Sequence, residues 1–174
     1  MLSARAPLFD HAWIAARLPH AGAMCLLDAV LAWDASHVLC SADNQRRPDH
    51  PLRQFGRLGA ACGVEYAAQA MAVHGALLAP AQGPVRPGML VSARKVELHV
   101  PRLDEVQGPL LVRAERLQAG DELLMYGFSV HGDGRLLLEG RASVLLGRPA
   151  PASAPAAACT RPVARPDPLS GDPA

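Results

Sequence analysis

Hydrophobic and polar residues follow two different periods along this chain, and the change from one to the other marks its parts. Residues 89–100 (MLVSARKVELHV), 109–117 (PLLVRAERL), 122–131 (ELLMYGFSVH) and 135–146 (RLLLEGRASVLL) alternate apolar with polar, the pattern of strands with one buried face. Gly120-Asp121 and Gly132-Asp133-Gly134 supply turn residues between them, so an antiparallel sheet is predicted. Upstream, 24–33 (MCLLDAVLAW) and 37–43 (HVLCSAD) predict two further strands joined at Asp34-Ala35-Ser36, and 10–18 predicts a short helix. An irregular Pro- and Arg-rich loop, 44–55, follows the second of these strands.

Residues 56–78 (GRLGAACGVEYAAQAMAVHGALL) break the alternation. They contain no proline and many alanines, and they are apolar almost all the way round, so a helix here has to be buried on most faces. A short helix, a hairpin, a buried helix and then several long strands describe an α+β domain in which one antiparallel sheet wraps around one long central helix, the hot-dog arrangement. One such domain is expected over 1–147, because 174 residues suffice for one proper core and are few for two. From Arg148 onward the chain reads RPAPASAPAAACTRPVARPDPLSGDPA, too poor in large apolar residues to offset the entropy of ordering, and 148–174 is expected to be a disordered tail.

Charge narrows the function classes. The formal net charge is +1, with both signs mixed along the chain, which gives no electrostatic footprint for nucleic acid or for an anionic membrane. Cys25, Cys40, Cys62 and Cys159 are far apart, and the first three lie in apolar runs, as expected of buried thiols in a reducing compartment. Asp10, His11 and Arg17 interrupt the N-terminal segment where a signal peptide would be continuously apolar, so a soluble cytoplasmic protein is expected. No histidine pair has metal-ligand spacing with a carboxylate, and nothing calls for a metal or another cofactor.

Glu65 stands in the middle of this most apolar helix, and Gln69 follows at i+4 on the same face. A carboxylate in an apolar setting costs several kcal/mol unless it is paired or takes up a proton, and a protonated carboxyl is what a general acid needs. The other reading is a Glu on a solvated stripe or tied to an arginine such as Arg57. Gly56 and Gly59 open the predicted helix; their N–H groups either face an enolate oxygen of a substrate or serve only a tight turn. Arg46, Arg47 and Arg53 suit an acidic carrier protein or a pantetheine phosphate, and equally a solvated loop. Among the histidines, His74 reads as a hydrogen-bonded core or helix-end residue, whereas His11, His37, His99 and His131 sit near element ends.

Three segments resemble bacterial 3-hydroxyacyl-acyl-carrier-protein dehydratases in order along residues 12–146. Leu18-Pro19-His20-Ala21-Gly22-Ala23-Met24-Cys25-Leu26-Leu27-Asp28 is similar to their P-H-R-x-P-hydrophobic-L-L-x-D opening. Val64-Glu65-Tyr66-Ala67-Ala68-Gln69-Ala70 resembles their I-E-A-x-A-Q helix, and His99-Val100-Pro101-Arg102-Leu103-Asp104-Glu105 sits where they have an R-R-P-x-x-P-G-D turn. Closer still, P-L-R before G-R-L, and E-Y-A-A-Q-A-M-A-V-H-G, resemble the dehydratase-like subunits of aryl polyene biosynthesis clusters. The G-H-F-P-G loop that carries the catalytic His of the main family has no counterpart. The loop here reads Asn44-Gln45-Arg46-Arg47-Pro48-Asp49-His50-Pro51-Leu52-Arg53, with His50 fifteen residues before Glu65 (65 − 50).

The resemblance implies a dimer with the acyl thioester in a tunnel between protomers. It makes His50 the base, Glu65 the acid that protonates the departing β-hydroxyl, and His20, Gly56, Gly59 and Gln69 candidate substrate-binding residues. The implied partners are an acyl carrier protein with its pantetheine-bound acyl chain and a second hot-dog subunit, identical or different. Two other readings share the fold: a non-catalytic hot-dog subunit that pairs with an active dehydratase, and an acyl-thioesterase whose helix carboxylate activates water.

Overall fold

The computed structural model describes residues 6–79 and 86–147. The expected tail, 148–174, and Cys159 within it lie outside the described residues. Strands β1 (Phe9–Asp10), β2 (Ala29–Trp33), β3 (His37–Ala42), β4 (Gly88–Leu98), β5 (Leu110–Ala119), β6 (Leu123–Gly132) and β7 (Arg135–Leu146) form one antiparallel sheet in the order β1-β2-β3-β5-β6-β7-β4. Helix α1 (His11–Ala15) is capped by Asp10, whose carboxylate accepts from the Trp13 N–H at 2.9 Å. Helix α2 (Gly63–Leu78) packs on the face made by β3, β5 and β6.

The core forms where the alternating side chains of the sheet meet the helix. Val38 and Cys40 of β3 and Val112 and Ala114 of β5 are fully buried, as are Tyr66, Ala67, Ala70 and Val73 of α2. Small residues bring the helix close. A Cβ on Gly63 would lie 2.5 Å from Leu138 Cδ2, so a larger residue there would force the buried Leu138 side chain of β7 to shift. Cys25 and Cys40 are buried as expected, and Cys62 is half-buried.

Two sequence expectations about elements are corrected. Helix α2 starts at Gly63, after a 3-10 turn at Ala60–Cys62, and not at residue 56. The segment before it pairs with a loop instead: Leu58 C=O accepts from Leu103 N–H at 2.8 Å, and Ala60 N–H donates to Pro101 C=O at 3.1 Å. Phe55 (φ 49°) and Gly56 (φ 71°) form the tip of a two-residue turn closed by Gln54 and Arg57, with Phe55 99% exposed. The strand expected over 24–33 is ordered as strand only from Ala29, because Gln69 and Asn44 occupy the backbone groups of Met24 and Leu26 that a ladder would use. The two-residue strand β1 was not anticipated.

His74 is the core histidine that its surroundings suggested. It is fully buried, with Nε2 2.9 Å from Asp34 C=O and Nδ1 3.1 Å from Tyr126 Oη, and burial holds its pKa below the usual histidine range. It therefore anchors α2 to the β2–β3 turn and to β6. His74→Ala is expected to lower stability by about 2 kcal/mol, since the buried Tyr126 hydroxyl loses its partner and a fully buried side chain is removed. A urea midpoint equal to that of the wild type would contradict this.

Candidate functional site

Glu65 is the third residue of α2 and so lies in its first turn, where the partial positive charge of the helix N-terminus favours a carboxylate. The expectation of a Glu in the middle of a buried helix is thereby corrected. Its side chain is 31% exposed, at the edge of the core, and it is paired rather than isolated. Glu65 Oε1 lies 3.0 Å from His20 Nε2 and accepts from Gln69 Nε2 at 2.9 Å. Arg57, the alternative partner, makes no ion pair with it.

Gln69 is fully buried and spends all its bonding groups inside the protein. Its Oε1 accepts from Leu26 N–H at 2.8 Å, and its Nε2 donates to Met24 C=O at 2.7 Å as well as to Glu65. It therefore has no donor left for a substrate, contrary to the expectation drawn from its position, and acts as a bracket. By holding Met24 and Leu26 it fixes the segment that follows His20, and by holding Glu65 it fixes the carboxylate that His20 faces. The i+4 spacing of Glu65 and Gln69 was legible in the sequence; the long-range bonds to 24–26 were not.

His50 lies elsewhere in the same network. It is 5% exposed, its Nδ1 accepts from Leu52 N–H at 3.2 Å, and its Nε2 is 2.8 Å from Tyr66 Oη. Tyr66 in turn donates to Asn44 Oδ1 at 2.6 Å, and Asn44 Nδ2 donates to Leu26 C=O at 2.7 Å. Since Tyr66 gives its proton to Asn44, it accepts from His50 Nε2–H, and both ring nitrogens of His50 are in use. Desolvation, then the charges of Arg53 and Arg47, lower the His50 pKa and keep the ring neutral. Burial likewise pushes the Tyr66 phenol up. Glu65 and His50 are thus not brought together within one protomer; they are linked through Tyr66, Asn44, Leu26 and Gln69. Tyr66 and Asn44 escaped sequence reasoning, although Tyr66 stands next to Glu65.

A cavity of about 390 Å³ opens beside this network, and its lining includes His11, Gly22, Cys25, Asp28, Asn44, Arg47, Asp49 and His50. Of the two glycines expected to start the helix, Gly56 is at the exposed turn described above, and Gly59 caps the 3-10 turn, accepting from Cys62 N–H at 3.0 Å. Arg53 and Arg102 converge on Asp104, whose side chain is 4% exposed: Arg53 reaches Oδ2 at 2.9 Å, and Arg102 reaches Oδ1 at 2.9 Å and Oδ2 at 2.6 Å. This cluster ties the His50 loop to the segment before β5. Among the described residues, one group of potential metal ligands, Glu97, His99 and Glu139, comes together through β4 and β7, but it is exposed and lies on neither segment that carries Glu65 or His20. No described helix is long and apolar enough to cross a membrane.

A family model described as ApeP-like, ApeP dehydratase, matches residues 12–154. Comparison with curated proteins gave no match. Among solved structures, the dehydratase heterocomplex ApeI:P from Xenorhabdus doucetiae has a TM-score of 0.65 at 24% identity, covering 78% of this chain and 91% of that one. A thioesterase family protein from Silicibacter pomeroyi has a TM-score of 0.56 at 19% identity, covering 79% and 98%. A mutant of a thioesterase from Pseudomonas aeruginosa has a TM-score of 0.52 at 16% identity, covering 68% and 80%. These likenesses establish the hot-dog fold.

Proposed function

The chain belongs to the ApeP-like dehydratase family, and from that premise we propose that it dehydrates 3-hydroxyacyl thioesters on an acyl carrier protein to trans-2-enoyl thioesters, in fatty acid or aryl polyene biosynthesis. The observation that carries the reading is the pairing of Glu65 with His20 at the start of α2, braced by Gln69. Elimination of water needs a proton removed from the α-carbon and a proton delivered to the β-hydroxyl, and a partly exposed carboxylate–imidazole pair is a suitable group for both transfers.

The site works in an assembly of hot-dog subunits. Strand β4 is an edge that pairs only with β7 among the described residues, and it leaves Met89, Leu90, Val91 and Leu98 exposed. An unpaired apolar edge is a template for another strand, and a second hot-dog subunit would cover it. The Xenorhabdus dehydratase is a heterocomplex, which favours an unlike partner.

A second reading has an observation of its own. His50 has no free nitrogen, so if the base must come from that loop, this chain is the non-catalytic partner of an active dehydratase. Hydration of crotonyl thioester, followed by loss of enoyl absorbance with the chain alone and then with its hot-dog partner, separates the two. Turnover that requires Glu65 of this chain supports the enzyme. Complex formation with carrier protein or partner, without any contribution of Glu65 to turnover at any chain length, supports the partner subunit.

A further inference from the structure

We propose that His20 is the general base of this site and carries one proton from the substrate's α-carbon to its β-hydroxyl, while Glu65 holds the ring. The inference rests on the dehydratase reading and assigns its proton transfers. A carboxylate can only accept, so the 3.0 Å contact puts the proton of a neutral His20 on Nε2 and leaves Nδ1 with a lone pair. That Nδ1 is buried and has no partner; among the described residues the only other buried side-chain atom in this condition is Gln45 Oε1. Buried polar atoms are nearly always satisfied, so an orphan Nδ1 on a ring whose Nε2 is already paired is a nitrogen held ready to take a proton. His50 and His74 each use both nitrogens within the protein, which leaves neither free to take a proton.

The geometry is that of an oriented base. Gln69 fixes Glu65 and, through Met24 and Leu26, the segment that carries His20, so carboxylate and ring are located by the same side chain. In the forward reaction the Cα–H bond breaks, its proton passes to His20 Nδ1, and the electron pair is held as the enolate of the thioester. The imidazolium now faces the Glu65 carboxylate. The same proton then passes from Nδ1 to the β-hydroxyl oxygen, the Cβ–O bond breaks, the enolate electrons form the Cα=Cβ bond, and water leaves with His20 neutral again. No second acid is consumed, and His50 is left to hold the loop.

The test uses full-length protein with its hot-dog partner and 3-hydroxybutyryl pantetheine. His20→Gln, which retains a donor for Glu65 and has no basic nitrogen, is expected to lower kcat by at least about a hundredfold with KM little changed. His20→Ala is expected to lose a similar factor and to recover activity in proportion to added imidazole. His50→Gln is expected to stay within about tenfold of wild type, less than removal of a base costs. Circular dichroism and size-exclusion profiles matching the wild type exclude misfolding; if His20→Ala fails that control, His20→Gln decides. A His20→Gln enzyme with near-normal kcat overturns the proposal, and so does a loss that imidazole does not restore, which would make His20 a positioning residue. If wild type and all variants lack turnover while wild type still binds carrier protein, the dehydratase reading fails and the base assignment falls with it.

Discussion

Glu65→Gln is expected to fold like the wild type and to lose about a hundredfold or more of its turnover, the usual scale for a group in acid–base catalysis. Glutamine matches glutamate in size and can still accept from His20 Nε2 and Gln69 Nε2, so the bracket that orders 20–26 stays in place. What it removes is the negative charge. Without that charge an imidazolium forming on His20 has no counter-ion, and the proton transfers of the elimination become slower with little change in substrate binding. The check is steady-state hydration of crotonyl pantetheine beside a melting curve: kcat should fall while the melting temperature stays within a few degrees. Near-normal turnover would remove Glu65 from the chemistry.

Asp104→Ala is expected to cause the largest loss of stability, about 3 kcal/mol, or roughly 10 °C in melting temperature for a domain of this size. Its carboxylate is almost wholly covered and receives hydrogen bonds from both Arg53 and Arg102, so truncation leaves two guanidinium groups facing each other without a counter-charge. Both arginines keep some contact with water, which holds the cost at the low end for a buried pair. The hydrogen bonds from Arg102 lower the Asp104 pKa from 3.8 to about 2, against the opposing effect of burial. The sign of the pH dependence follows from this depression. The stabilisation is complete above the unfolded-state value near 3.8 and is lost as pH falls through about 2. Urea midpoints of wild type and Asp104→Ala should therefore be far apart at pH 6 and converge near pH 2. A variant that melts within about 2 °C of wild type at pH 6 would show that the cluster holds nothing.

How much of this was legible in the sequence depended on whether a residue's environment is set locally. Strands β4 to β7 follow from period-two alternation and from Gly-Asp turns, and they came out within two residues of their bounds. The start of α2 did not, because alanine-rich composition speaks for helix while the positive φ of Phe55 and Gly56 and the pairing of 58–60 with 101–103 are tertiary facts. Glu65 stood out by its chemistry in an apolar run. The pairing did not: His20 was picked out through the resemblance as a substrate-binding candidate, but it is forty-five residues away (65 − 20), and only the folded chain shows that Gln69 brings the two together. His50 was singled out by loop position, but its surroundings were not legible. Tyr66 and Leu52 N–H take up its two nitrogens, a pairing no spacing rule reveals.

The central claim is that water leaves a carrier-bound 3-hydroxyacyl chain at Glu65, and intact-protein mass spectrometry of the carrier reads that event directly. A 3-hydroxyacyl carrier protein is incubated with the wild-type chain and its hot-dog partner, and in parallel with the Glu65→Gln chain and the same partner. The account predicts that the carrier loses the mass of one water with wild type and remains unchanged over the same time with Glu65→Gln. Release of the whole acyl group to leave the bare pantetheine thiol, or the same loss of water with both chains, would contradict it.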